Sequence, residues 1–157
     1  MELARVTGEA AGISIPDGTD MLYLDQLTPN SELQVRDWTG HRIPMHAVPS
    51  GQVVLAGDSA LAGRITKGRL QQFTPTTIVD AAALQARLDV VRRDGYAWAV
   101  EEFASGLNSV AAAIRTTGGT VLAALHVYGP ASRFPGDRNP RELGELVKAA
   151  ADNIRID

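Results

Sequence analysis

Two apolar runs, Ser109 to Arg115 and Thr120 to Tyr128, are joined by Thr116-Thr117-Gly118-Gly119, and this junction constrains the fold more than any other stretch. Glycine adopts positive φ without steric cost, so Gly-Gly between two apolar runs signals a β-hairpin. With Gly118 and Gly119 as a two-residue loop, Thr117 pairs with Thr120. Tyr128, His126 and Ala124 then fall opposite Ser109, Ala111 and Ala113. Alternate residues of a strand share a face, so these residues lie together. Val121, Ala123, Leu125 and Val127 form the other, wholly apolar face. The first face sets an imidazole and a phenol among small residues. That mixture suits the floor of a small-molecule pocket. On pattern alone it suits better a sheet whose polar residues cap it or touch a neighbouring helix. A three-residue loop would move every side chain to the opposite face.

The chain has 157 residues, 45% of them hydrophobic, which is enough for one domain with a core. Ala11 to Ile15, Met21 to Leu27 and Glu32 to Trp38 read as strands, broken by Pro16-Asp17-Gly18-Thr19-Asp20 and Thr28-Pro29-Asn30. Tyr96 to Glu101 adds a strand ahead of the hairpin. Met1 to Thr7 reads as the end of a helix stopped by Gly8, and a chain that begins inside a helix is expected to be an excised domain. Thr39 to Pro44 reads as a loop, Met45 to Ala56 and Ser59 to Ile65 as short helices, and Lys67 to Thr77 as a surface connection with Phe73 turned inward. Asp80 caps a helix carrying Leu84, Leu88 and Val91 at helical spacing, with Arg92 and Arg93 in its last turn and Gly95 as the stop. Asn139-Pro140-Arg141-Glu142 opens another, with Leu143, Leu146, Val147, Ala150 and Ile154 as its apolar stripe. Strands in runs with helices between and after them predict a single α+β domain over residues 1–157, a central antiparallel sheet with helices packed on it.

A net charge of -3 gives the chain no general attraction for nucleic acid or anionic membranes, and no helix-turn-helix pattern occurs in it. Cysteine is absent, which removes disulfides and thiolate metal sites. No apolar stretch reaches the 18 or so residues of a membrane span and no signal-peptide pattern is present, so a cytoplasmic protein is expected. His41, His46 and His126 do not fall at i, i+4 and have no carboxylates at ligand spacing, so no metal and no cofactor are expected. Glu101 and Glu102, as neighbours on a strand, would point to opposite faces and make a poor acid–base pair. Ser50-Gly51 and Ser132-Arg133 lack the setting of a nucleophile elbow. Thr117-Gly118-Gly119-Thr120 opens a strand rather than a helix, so it cradles no phosphate. Nothing in this pattern requires an enzyme.

Three stretches together resemble the effector-binding domain of IclR-type transcriptional regulators. The first is Tyr23-Leu24-Asp25, followed by Gly40-His41-Arg42-Ile43-Pro44-Met45-His46-Ala47 and then Gly51 and Leu55-Ala56. It is similar to the family's YLD-type strand, its G-x-x-x-P-[LM]-H-A segment and its small-residue helix. The second, Phe73-Thr74-Pro75-Thr76-Thr77-Ile78, resembles the T-P-x-T-I segment. The third runs through Asp94-Gly95-Tyr96, Glu101-Glu102, Gly106 and Val110-Ala111-Ala112 to Gly129-Pro130-Ala131-Ser132-Arg133. Their order and spacing over nearly the whole chain make the match specific.

The resemblance implies a GAF/profilin-like domain that binds a small organic effector, a carboxylate or an aromatic acid. It implies operator DNA as a partner only through an N-terminal winged helix-turn-helix outside this sequence, a homodimer or tetramer, and no membrane. Carried over by position, the effector contacts fall on Pro49, Ser50, Ala99, Leu107, Ser109, His126 and Tyr128. Ser109, His126 and Tyr128 also share the face that the hairpin pairing assembles. The chain departs from the family pattern at Val48, Pro49, Gln52, Ala99, His126 and Tyr128, so the simplest 2-oxo acids do not carry over as ligands. His46 and Arg133 are expected to brace loops. His126, able to become cationic, is expected to answer a carboxylate. The alternatives are a small enzyme on the same fold acting on an organic acid, with His126 and Tyr128 as acid and base, and a pure dimerisation module.

Overall fold

A computed structural model describes residues 2–29 and 35–156. In chain order the elements are α1 (Glu2–Thr7), β1 (Ala10–Asp17), β2 (Asp20–Leu27), β3 (Arg42–Pro44), a 3₁₀ turn (Met45–Ala47), α2 (Pro49–Ala56), α3 (Ser59–Lys67), α4 (Ala81–Asp94), β4 (Ala97–Val100), β5 (Leu107–Arg115), β6 (Val121–Pro130) and α5 (Pro140–Asp152). The strands form one sheet in the order β3-β2-β1-β6-β5-β4, and every pairing is antiparallel. The α+β architecture read from the sequence is the one observed. β1 and β6 lie side by side at the centre although more than half the chain separates them.

The hairpin keeps the expected register, Ser109 opposite Tyr128, Ala111 opposite His126 and Ala113 opposite Ala124, by an unexpected route. The loop has three residues, closed by the Thr116 N–H on the Thr120 carbonyl at 2.9 Å, with Gly119 at φ 92°. That loop alone would reverse the faces. A bulge at Leu122 compensates, because Ile114 pairs with Ala123 while Arg115 pairs with Val121. Beyond the bulge Val121 turns over and joins the core on the α2 side, away from Ala123, Leu125 and Val127.

The sheet carries helices on both faces. One core gathers α2, α3 and α4 over Ala10, Met21, Tyr23, Ala124 and Tyr128; the other sets α1 and α5 on Ala11, Val110, Ala112, Leu125 and Val127. The side chains of Asp80 and Asn139 cap α4 and α5 as expected, accepting from the Ala83 and Arg141 N–H groups. In α5 the buried stripe is Leu143, Gly144, Val147 and Ala151, so Leu146, expected within it, lies at 37% exposure.

Three other expectations are corrected. The strand expected over Glu32 to Trp38 lies partly outside the described residues, and its described part, 35–38, is not a strand. The third strand of the meander is instead β3, within the stretch read as a loop, because Ile43 is buried opposite Met21. The helix expected from Met45 to Ala56 breaks at Val48, which is extended at φ -133° and ψ 147°. Pro49 is the cause: a residue before proline is disfavoured in the helical region, and proline suits the first position of a helix. Finally, β4 ends at Val100, so Glu101 and Glu102 are not strand neighbours. Glu101 has φ 52°, and its carbonyl accepts from the hydroxyls of Thr74 and Thr76 at 2.6 and 2.7 Å. The Thr77 hydroxyl holds the Glu102 carbonyl at 2.6 Å. Three threonines thus clamp a backbone conformation that costs energy for a side-chain-bearing residue.

Candidate functional site

The α2 side of the sheet is a grid of small residues. One row across the strands is Ala99, Ser109, Tyr128 and Ala10; the next is Ala97, Ala111, His126 and Gly12; a third is Ala113, Ala124, Ser14 and Tyr23. Small side chains let α2 approach closely, and only Tyr128, His126 and Tyr23 rise from the grid. Their rings form a tilted stack, with Tyr23 and His126 centroids 4.7 Å apart and His126 and Tyr128 5.5 Å apart. Gly12 makes the stack possible. A Cβ there would stand 2.6 Å from the Asp25 carbonyl oxygen and 2.8 Å from His126 Cε1.

Each tyrosine is held by a hydrogen bond. The Tyr23 hydroxyl lies 3.2 Å from Ser50 Oγ in the first turn of α2. The Tyr128 hydroxyl donates to Gln26 Oε1, which also accepts from the Trp38 N–H. Burial pushes the Tyr23 phenol up to about 12 and raises that of Tyr128 as well, so both stay protonated. His126 is different. It is 2% exposed, and neither ring nitrogen has a hydrogen-bond partner among the described residues. The hydroxyl of Ser14, also fully buried, has none either.

Of the residues expected at the site, Ala99, Ser109 and Tyr128 share a row and His126 stacks on Tyr128. Ser50 meets this group through Tyr23, and Pro49 is buried beside it at the start of α2. Leu107, half-buried, lies one step further along β5, opposite Pro130. Sequence reasoning missed Gly12, Ser14 and Gln26 as neighbours of the site. It quoted Tyr23 only within a motif. All four lie on β1 and β2, whose pairing with β6 leaves no local signal. His46 and Arg133 brace loops as expected: His46 Nε2 is 2.8 Å from the Gln71 carbonyl, and Arg133 donates twice to Glu9 at 2.7 and 3.0 Å.

α2 brings a further resource. Val48, its cap residue, offers no side-chain hydrogen bond, and Pro49 has no N–H. The N–H groups of Ser50 and Gly51 therefore have no acceptor within the helix, at the end where the helix dipole favours an anion. No cluster of metal-ligating side chains occurs among the described residues. Hollows open to solvent lie elsewhere. One of about 760 Å³ is lined by Tyr96, Trp98, Pro140 and Arg141, but no unpartnered buried polar atom faces it.

The expectation that His126 answers a carboxylate as a cation meets an obstacle in the burial of the ring. Desolvation pulls its pKa from 6.5 down to about 3. The unfolded chain takes up this proton near pH 6.5 and the folded chain only near 3. The group's contribution to stability is therefore intact above pH 6.5 and is lost as pH falls towards 3. Between pH 6.5 and 5 that loss is about 2 kcal/mol. His126→Phe is expected to make urea unfolding shallower in pH by about that amount over this interval. Equal slopes in parent and variant would show that His126 is not buried neutral.

The model of the family described as bacterial transcriptional regulator IclR C-terminal matches residues 1–156. The HTH-type transcriptional repressor AllR of Klebsiella pneumoniae is 39% identical over 154 residues, 97% of this chain and 56% of the repressor. The chain thus spans about half the length of the curated relatives it matches. The C-terminal domain of the Escherichia coli transcriptional regulator KdgR superposes with a TM-score of 0.80 at 28% identity, over 96% of this chain and 87% of that one. The Thermotoga maritima IclR shares the fold, with a TM-score of 0.86 at 24% identity over 96% of this chain and 62% of that one. The chain belongs to the IclR family of bacterial transcriptional regulators, as a C-terminal, effector-binding domain.

Proposed function

We propose that this domain, a single unit over residues 1–157, binds a small organic acid between the first turn of α2 and the Tyr23–His126–Tyr128 stack. The contacts come from Pro49, Ser50, Ala99, Leu107, Ser109, His126 and Tyr128, with Tyr23 as an added wall. The reading is carried by one observation: a grid of alanines, serines and glycine holds three rings and unpartnered buried polar atoms beneath an uncapped helix start. The domain is read as a sensor rather than an enzyme, cytoplasmic, without cofactor or metal. It controls operator DNA binding by a winged helix-turn-helix elsewhere in the regulator. No helix of the described residues is long and apolar enough to cross a membrane. Self-association to a homodimer or tetramer belongs to the same reading; sedimentation velocity reads it directly, and a monomer at every concentration would contradict it.

Because His126 stays neutral, the acid group is met by the Ser50 and Gly51 N–H groups and not by an imidazolium. Affinity for benzoate or propanoate, measured by calorimetry, is therefore expected to be nearly flat between pH 8 and 6, without proton uptake. Tenfold tighter binding at pH 6 with proton uptake would return the anion to His126. A pure dimerisation module has one observation in its favour: in this structure the sheet face is filled by its own side chains. Ser14 and His126 weigh against it, because a face built for packing alone gains nothing from buried polar atoms without partners.

A further inference from the structure

We infer that the ligand carries an uncharged group that both donates and accepts hydrogen bonds, a hydroxyl or an amide, and that Ser14 and His126 receive it. The inference rests on the reading of the site given above and extends it to the chemical class of the ligand. Gly12 pairs with His126 and Ser14 with Ala124, so Ser14 and His126 are diagonal neighbours on one face of β1 and β6. Ser14 is 0% and His126 2% exposed. Ser14 Oγ, His126 Nδ1 and His126 Nε2 are the buried side-chain polar atoms without a hydrogen-bond partner among the described residues, and all belong to this one corner of the site.

Folding gives no reason for these polar atoms. Alanine already serves at positions 97, 111, 113 and 124 of the same face, and Ser14 is surrounded by that pattern. His126 needs the missing side chain of Gly12 to fit at all. Buried polar atoms without partners are uncommon, and each lowers stability unless something meets it.

Donor and acceptor counting then selects the class. A neutral imidazole offers one donor and one acceptor, and a serine hydroxyl offers both. A carboxylate leaves the acceptor nitrogen of the ring unmet, and an ammonium leaves its N–H unmet. A hydroxyl or a primary amide carries both functions and can engage whichever ring nitrogen faces it together with the Ser14 hydroxyl. The Tyr23 and Tyr128 hydroxyls are engaged by Ser50 and Gln26, which leaves Ser14 and His126 as the fully buried groups available to discriminate. The ligand is thus bipolar, with its acid at the start of α2 and its uncharged polar group over β1 and β6.

The test uses the chain as it stands, with two matched pairs of probes: propanoate against 2-hydroxypropanoate, and benzoate against 3-hydroxybenzoate. In at least one pair the hydroxylated acid is expected to bind about tenfold tighter, and Ser14→Ala to bring the two affinities within about threefold. Equal affinities within both pairs would overturn the inference and leave the site standing. Binding by none of the four acids would overturn both. Stability supplies a readout independent of any ligand: Ser14→Ala and His126→Phe are expected to melt at or above the parent temperature at pH 7. If His126→Phe fails to fold, Ser14→Ala carries this arm alone. A clearly lower melting temperature for Ser14→Ala would show that its hydroxyl serves the fold, which contradicts the inference.

Discussion

Gly51→Ala is expected to lower the melting temperature by about 10 °C or more, among the largest effects of any single methyl group in this domain. Gly51 lies in the first turn of α2, where the helix rests on the 3₁₀ turn Met45–Ala47. A Cβ there would stand 2.2 Å from the Met45 carbonyl oxygen and 2.3 Å from its Cα. Both are backbone atoms of a fully buried residue, so no rotamer change relieves the overlap. The helix would have to move outward as a unit, carrying Ser50 away from Tyr23. Overpacking of a core typically costs 1–3 kcal/mol, and a rigid backbone neighbour puts this case at about 3 kcal/mol or above. Gly63 is the internal control. It lies within α3 with nothing within 4 Å of its added Cβ, so Gly63→Ala is expected to stabilise by roughly 0.5–1 kcal/mol. Thermal unfolding of both variants checks the pair. A Gly51→Ala protein melting with the parent would contradict the packing of α2 on the turn.

Arg87→Met is expected to cost about 3 kcal/mol, more than Glu102→Gln at the other end of the same ion pair. Arg87 donates to both carboxylate oxygens of Glu102, at 3.0 and 3.1 Å. It also donates to the Trp98 carbonyl at 3.0 Å and to Gln52 Oε1 at 3.3 Å, tying α4 to the edge strand β4 and to α2. The two side chains differ in exposure, 28% for Arg87 and 6% for Glu102. Removing the arginine strands a buried carboxylate that, among the described residues, keeps only the Val100 N–H, 3.2 Å away, to meet it. Removing the carboxylate leaves a guanidinium that still reaches water. The double variant Arg87→Met, Glu102→Leu is expected to recover most of the loss, because it leaves neither charge unpaired. Urea midpoints of the three proteins decide this. Equal losses in both single variants would mean that the carboxylate is better solvated than the geometry indicates.

Legibility in the sequence followed the range of the interaction. The β5–β6 register was readable because Gly118-Gly119 marks the turn, though a bulge at Leu122 was needed to keep it. The caps at Asp80 and Asn139 were readable because a cap is a contact between residues two or three apart. The break at Val48 was in principle readable from Pro49. β3 was not, since three residues ending in proline give no periodicity. The site divided in the same way. Ser109, His126 and Tyr128 belong to one hairpin and were legible together, whereas Ala99 on β4 came only from the family resemblance. Gly12, Ser14 and Gln26 reach His126 and Tyr128 only because β1 lies against β6, a pairing that closes across the whole chain. The burial of His126 was not legible for a related reason. A ring expected to meet a carboxylate as a cation is desolvated by burial, against Tyr23 and Gly12, both distant in sequence.

The central claim is that a small organic acid binds between the first turn of α2 and the ring stack. The most direct measurement is a two-dimensional ¹H–¹⁵N spectrum of the isotopically labelled chain during titration with benzoate and with propanoate. The account predicts saturable shifts of the Ser50 and Gly51 amide signals together with the His126 ring nitrogens. Signals of Tyr96, Trp98 and Arg141 around the open hollow are expected to stay fixed. Shifts confined to that hollow, or no saturable shift at Ser50, Gly51 and His126 with either acid, would contradict it.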